Sequence, residues 1–341
     1  MTQYSTSREL SEKLYILRFF AIAAVITAHS CFNEIANGID RYSLGRFARF
    51  GVFSFFLVSG FFYKRTNTKE FFGKIFYNLL VPWFFAGSLV RFMVMLITNH
   101  QINFDNYFSY MIGNGSTLYF CTMLLIIRMI FHFFAPRDKR RIVIFSICCV
   151  AITLVSLMCT SFGLLPEDYQ SDLIICQYVN PYLNIFNWIG IYAIGVLFRV
   201  YCVFDRIDKD TKLQKFLLVI SLLVFSVGYF DKNCSYWSHF GIYTELALFL
   251  IIYMGISYFY PLLRRKTFLY IGRNTFPIYL LHYPVLSLLM RVTEFRTSFL
   301  AAVIRPFVCI YIIYYCIKLV ILLSNKVRWL KFINILFGIS E

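Results

Sequence analysis

An arginine and a histidine eleven residues apart, Arg18 and His29, sit inside the otherwise apolar stretch LYILRFFAIAAVITAHS, Leu14 to Ser30. Ionisable side chains inside a membrane-spanning helix are costly, and they mark function by default. At 100° per residue, eleven residues bring both side chains back to nearly the same helix face, about 16 Å apart along the axis. One helix would thus carry a fixed cation near one membrane surface and a titratable imidazole toward the other. An imidazole titrates near neutral pH and can act as general base on a hydroxyl. A guanidinium is always charged and offers a donor fork suited to phosphate. Each also has a plainer reading. The histidine can be a helix-packing residue bonded to a neighbour, and the arginine can snorkel to headgroups.

Such a pair needs a cage of other helices, and the composition supplies one. The 341 residues are 60% hydrophobic and 15% charged, against about 25% charge in a soluble domain. The excess apolar surface must face lipid, so the chain reads as an all-α polytopic membrane protein. Runs of about 20 apolar residues predict ten transmembrane helices near 13–32, 46–63, 75–97, 117–134, 142–162, 183–203, 213–230, 239–261, 268–290 and 298–324. No segment is long or polar enough for a separate soluble domain, so residues 1–341 read as one membrane domain. The tail 325–341 is short, basic and aromatic, and is expected to lie on the inner surface. The first run holds Arg18 in its first turns and lacks a small-residue cleavage site, so it is expected to stay as a span rather than be removed.

The net charge of +16 does not point to nucleic acid, because the basic residues form no single patch. They fall in alternate short loops, with Lys64, Arg65, Lys69 and Lys74 in the first and Arg137, Lys139, Arg140 and Arg141 in the next. The loops between are poor in base. The positive-inside rule then predicts both termini in the cytoplasm of a multi-pass membrane protein. Ten scattered cysteines show no metal-ligand spacing. Cys176 and Cys234 fall in loops placed outside, where a disulfide can form.

Other residues could join the chemistry. Ser59-Gly60 near the inner end of GVFSFFLVSGFF (Gly51–Phe62) permits close helix contact, and this span runs straight into Lys64 and Arg65. That basic flank is either an inside anchor or part of the way in for an anionic donor. Tyr119 enters the fourth span from outside, as an interfacial ring or as a pocket wall. In IGRNTFPIYLLHYPVL (Ile271–Leu286), Pro277 and Pro284 bracket Tyr279 and His282. Carbonyls freed by proline need partners in the protein interior, so a histidine between two such kinks is not expected to face lipid. Arg91, Arg128, His132, Glu245 and Arg305 are further ionisable groups within spans. Glu245 is the only acid placed deep in one, and it is expected to pair with an arginine that the sequence does not identify.

Taken in order, several of these segments resemble the acyltransferase-3 membrane family. They are Arg18-x10-His29, GVFSFFLVSGFF, Leu118-Tyr119-Phe120, Asn187-Trp-Ile-Gly-Ile-Tyr-Ala-Ile-Gly195 and Ile271-Gly-Arg-Asn-Thr-Phe-Pro-Ile-Tyr-Leu-Leu-His282. The similarity runs over roughly 12–320. It implies ten spans and transfer of an acyl group, usually acetyl, onto glycans of the bacterial cell envelope. It implies acetyl-CoA from the cytoplasm as donor, with no metal. His29 then matches the family's essential histidine and Arg18 its paired arginine. Tyr119, Tyr279 and His282 are expected to shape the acceptor side. Of the basic cluster that family members often carry before the proline of the third span, Lys74 alone remains ahead of Pro82. Lys64, Arg65 and Lys74 are expected to share donor binding with Arg18. A fused hydrolase-like domain that would allow a relay on one chain is not expected.

Two other functions compete. A transporter or flippase of a polar or lipid-linked substrate would suit ten spans and buried arginines, but the chain shows neither the internal repeat nor the paired acids common in that class. A non-catalytic scaffold would leave the intramembrane charges as unexplained cost. The expected partners are acyl-CoA, a glycan or glycolipid acceptor and the lipid bilayer.

Overall fold

The computed structural model describes residues 7–30, 47–98, 104–114, 116–165, 181–231, 237–291, 299–327 and 331–339. The proposed Cys176–Cys234 pair and the outer acids Glu167, Asp168 and Asp172 lie outside these residues. Helix accounts for 85% of the structure, with no strand among the described residues. The helices are α1 (Arg8–Ser30), α2 (Phe50–Phe61), α3 (Thr68–Ile75), α4 (Val81–Thr98), α5 (Phe104–Ile112), α6 (Tyr119–Phe134), α7 (Lys139–Ser161) and α8 (Ile185–Val200). They continue as α9 (Val203–Lys209), α10 (Thr211–Phe230), α11 (Gly241–Tyr258), α12 (Tyr260–Leu263), α13 (Lys266–Arg273), α14 (Thr275–Leu289), α15 (Phe299–Lys326) and α16 (Lys331–Phe337).

Each of the ten apolar runs holds helix, but not each is one long helix. Among the described residues, five stretches are long and apolar enough to cross a membrane: Thr68–Met93, Lys139–Ser161, Thr211–Phe230, Gly241–Tyr258 and Val303–Lys326. A sixth results if α8 and α9, bent by 56° at their junction, count as one span. The bend sits at Cys202, a non-glycine residue in the left-handed region (φ 51). α2, α6 and α14 are apolar but shorter. The run at 268–290 is divided between α13 and α14 at Asn274, whose side-chain amide donates to the Tyr270 carbonyl. In the third run, residues Phe76–Leu80 take a π turn that joins α3 to α4, with Val81 N–H reaching back to the Phe76 carbonyl. Pro82 explains it: proline has no N–H for the ordinary ladder, so the register shifts ahead of it.

The contacts group into two compact units. The first comprises 1–17, 52–65 and 122–266. In it, α2 and α8 touch through backbone. A Cβ on Gly60 would lie 1.9 Å from the Tyr192 carbonyl oxygen, and one on Gly195 would lie 1.9 Å from that of Leu57. Phe56 stacks on Trp188 at 4.7 Å beside this crossing. Glu245 is buried and, with Asn187, Trp188 and Trp237, lines a small cavity. A polar cluster anchors the start of α1. Glu12 accepts from Arg8 (2.9 Å), Tyr260 (2.7 Å) and Arg264 (2.6 Å). Lys13 reaches Glu9 and Asp208, and Asp208 also accepts from Tyr253 and Ser257.

The second unit comprises 18–51, 66–121 and 267–341. It holds most of α1 together with α4, α14, α15 and α16. Gly51 fits against α1 so closely that a Cβ there would sit 2.6 Å from the Ala21 carbonyl oxygen. The tail helix α16 packs inward. Asn334 is buried and reaches Ser324, Phe337 meets Phe85 edge-on, and Gly338, in the left-handed region, lies against Pro82 and Phe276. Phe332 and Ile335 on the same helix stay exposed.

Candidate active site

One uninterrupted helix places both Arg18 and His29. Between them α1 is nearly all buried, with Phe19, Ala21, Ile22, Ala23, Val25 and Ile26 turned into the protein. Arg18 and His29 are only half-buried. The end of α1 at Ser30 leaves carbonyls without helical partners. Arg305, fully buried on α15, donates from Nη1 to the Ser30 carbonyl at 2.9 Å. A cation is the favourable partner at this end of a helix. It also fixes the last turn, from which His29 projects.

Both residues face α14. Arg18 Nη2 donates to Thr275 Oγ1 at 2.6 Å. The His29 and His282 rings stand 5.3 Å apart, centroid to centroid. Thr275 precedes His282 as Arg18 precedes His29, so the two helices run in the same direction. α14 is tied in turn to the start of α6. The Tyr279 hydroxyl donates to the Thr117 carbonyl, and Phe120 meets the Tyr279 ring at 5.4 Å. Tyr119, half-buried, opens α6 two residues beyond Thr117. Cys309 Sγ, on α15, donates to the His282 carbonyl at 3.6 Å.

His282 is completely buried, and its Nδ1 lies 2.5 Å from the Tyr279 carbonyl oxygen. A carbonyl can only accept, so this contact assigns a proton to Nδ1, and in the neutral ring Nε2 then carries the lone pair. The guanidinium of Arg18 sits beside the first turn of α14. Backbone N–H groups and the positive end of the helix dipole there favour an anion, as the guanidinium does. One end of the arrangement can therefore hold a phosphate, and the other presents two imidazoles about 16 Å further along α1.

The structure thus brings together Arg18, His29, Tyr119, Tyr279 and His282 in one unit. Lys64 and Arg65 belong to the other unit and are exposed, and Arg65 Nη1 donates to the Ala135 carbonyl at the end of α6. Lys74 is exposed and pairs with Glu70 at 2.6 Å. Two neighbours of the site were not singled out by sequence for their roles. Thr275 lay within the ninth-span motif, and Arg305 was noted as an intramembrane charge, but a contact 275 residues distant in sequence leaves no local signal.

The family model Acyl_transf_3, described as an acyltransferase domain, matches residues 12–322. The chain belongs to the acyltransferase-3 family. The match covers nearly the whole chain, runs through both units and takes in every residue of the cluster just described. It makes the protein a membrane acyltransferase in general terms. No curated protein and no solved structure matches the chain.

Proposed function

We propose that the protein is a multi-pass O-acyltransferase of the inner membrane, with ten spans and both termini cytoplasmic. It moves an acetyl group from cytoplasmic acetyl-CoA to a hydroxyl of a cell-surface or exported glycan. The observation that carries this reading is that Arg18 and His29, on one face of α1, both meet α14, at Thr275 and His282 respectively.

In this reading Arg18 and the first turn of α14 hold a phosphate of the CoA, with Lys64, Arg65 and Lys74 assisting on its way in. The pantetheine arm carries the thioester along α1 to His29. A ring nitrogen of His29 takes the proton of the acceptor hydroxyl as its oxygen attacks the thioester carbonyl. The C–S bond of the tetrahedral intermediate then breaks, and the departing thiolate takes the proton back from His29. One proton has moved from oxygen to sulfur, with no net change on the enzyme. Such acid–base assistance is worth about 10²–10⁴-fold in rate. Tyr119 and Tyr279 form the wall on the acceptor side.

The test is acetylation of the glycan in cells carrying His29→Ala or His29→Gln protein at normal abundance. Retained acetylation in both would end this reading.

A further inference from the structure

The protein holds a second imidazole whose state is set before any substrate arrives. His282 Nδ1–H is committed to the Tyr279 carbonyl, and the ring is fully buried. Its Nε2 is also buried and has no hydrogen-bond partner. A buried acceptor left unsatisfied costs about 1–3 kcal/mol, so a fold that keeps one calls for an explanation. The ring it lies beside is that of His29, at 5.3 Å between centroids and 34° between planes. The two rings do not hydrogen-bond as they stand; at that separation a rotation of the His29 ring would bring one of its nitrogens within about 3 Å of Nε2.

We propose that His282 is the positioning residue of the transfer: its Nε2 accepts the N–H of His29 when the other nitrogen of His29 takes up the acceptor hydroxyl. The proposal rests on the reading of His29 as general base. It completes an ordered chain, from hydroxyl to His29, from His29 to His282 and from His282 to the Tyr279 carbonyl, in which each group donates to the next. The Tyr279 carbonyl can only accept, so the direction of the whole chain is fixed at its far end. A nucleophile, a base and a third group that orients the base is the general logic of such sites. The third group here is a neutral imidazole, suited to a membrane interior where a lone carboxylate would be expensive. When His29 gains the hydroxyl proton, its positive charge is shared with the lone pair of His282. The dipole of the Tyr279 carbonyl supports it from behind. His282 itself gains and loses no proton in this scheme. Cys309 and Arg305 reach the backbone carbonyls of His282 and Ser30 rather than the rings, and the Tyr279 ring stands 5.8 Å from that of His282.

Two isosteric variants separate this role from a structural one. The side-chain amide nitrogen of asparagine takes the place of Nδ1, so His282→Asn keeps the bond to Tyr279 and loses the acceptor toward His29. The side-chain oxygen of glutamine falls near Nε2, so His282→Gln keeps the acceptor. Full-length wild type, His29→Ala, His282→Asn and His282→Gln are purified in detergent. Each is assayed for acetyl-CoA turnover with a membrane-glycan extract as acceptor, with the folded fraction measured by size-exclusion chromatography. His282→Asn is expected to lose about 10²-fold or more in kcat at unchanged KM for acetyl-CoA, and His282→Gln to recover at least tenfold of that. Equal activity in the two variants, or higher activity in His282→Asn, overturns the proposal while leaving His29 in place if His29→Ala is inactive. An active His29→Ala protein overturns the underlying reading instead. If one variant does not fold, the kcat of the other against wild type decides alone.

Discussion

Replacing Gly195 by alanine should drive two helices of the first unit apart. The Cβ would sit 1.9 Å from the Leu57 carbonyl oxygen and 2.7 Å from the Phe61 nitrogen. Real Cβ atoms essentially never come within 3.0 Å of such neighbours, so α2 and α8 must separate by at least 1.1 Å. Both neighbours are backbone atoms, so no side chain can yield instead. Overpacking of this kind costs about 1–3 kcal/mol. Two further losses push the figure toward the upper end. The Phe56–Trp188 stack lies at the same crossing. Arg199 Nη1, which donates to the Phe61 and Tyr63 carbonyls at 3.3 and 3.1 Å, would be stretched as well. A loss of roughly 2–3 kcal/mol corresponds to a fall of roughly 4–8 °C in the thermal midpoint of the detergent-solubilised protein. Gly60→Ala should act alike, since its Cβ meets the Tyr192 carbonyl across the same contact. The double variant should cost less than the sum, because helices already parted need not part again. Gly255 in α11 is the control, with nothing within 4 Å of a Cβ. Gly255→Ala should match or exceed wild type, by up to about 1 kcal/mol from helix propensity. A Gly195→Ala midpoint equal to that of Gly255→Ala would refute the packing argument.

Arg18→Lys keeps the charge and loses the fork that spans Thr275 and an anion. At about 1.5–3 kcal/mol for a hydrogen bond to a charged group, the KM for acetyl-CoA should rise roughly tenfold to a hundredfold, with a smaller effect on kcat; steady-state kinetics checks it. Tyr279→Phe leaves the Thr117 carbonyl without its donor and should lower stability by about 1–3 kcal/mol, read as a lower thermal midpoint. Glu12 precedes the apolar part of α1 and carries a carboxyl held down from its ordinary 4.5 to about 2, first by the Tyr260 hydroxyl and then by Arg8 and Arg264. A depressed carboxyl contributes stability above its unfolded value that is lost as pH falls through the folded one. Between about 4.5 and about 2, wild type should therefore lose more thermal stability than Glu12→Gln, as followed by a pH series of melting curves.

The apolar runs are legible as helices because periodicity and length are local properties. The same holds for Arg18 and His29 sharing a face, and for Ser59-Gly60 as a close-approach signal. Where the runs break is less legible. The π turn before Pro82 has a visible cause, but Asn274 and Cys202 interrupt helices through geometry that their side chains only permit. Partners across the fold were not legible at all. Nothing near Arg305 in sequence points to the Ser30 carbonyl, and nothing near Lys64 or Arg65 places them in a different unit from His29. Arg65 also donates to the Ala135 carbonyl at the end of α6, a contact that the basic flank in the sequence does not announce. The tail shows the converse, since an aromatic, amphipathic pattern suits a lipid surface and a protein groove equally. Asn334 is buried while Phe332 and Ile335 stay exposed, so one side of the helix meets protein and another keeps apolar side chains outward.

The most direct measurement is mass analysis of surface glycans from cells lacking the gene, complemented with wild type or with His29→Ala. Loss of one acetyl group per repeat in the deletion, restored by wild type and not by His29→Ala, is the predicted result. Full restoration by His29→Ala would contradict the assignment of His29 to the chemistry.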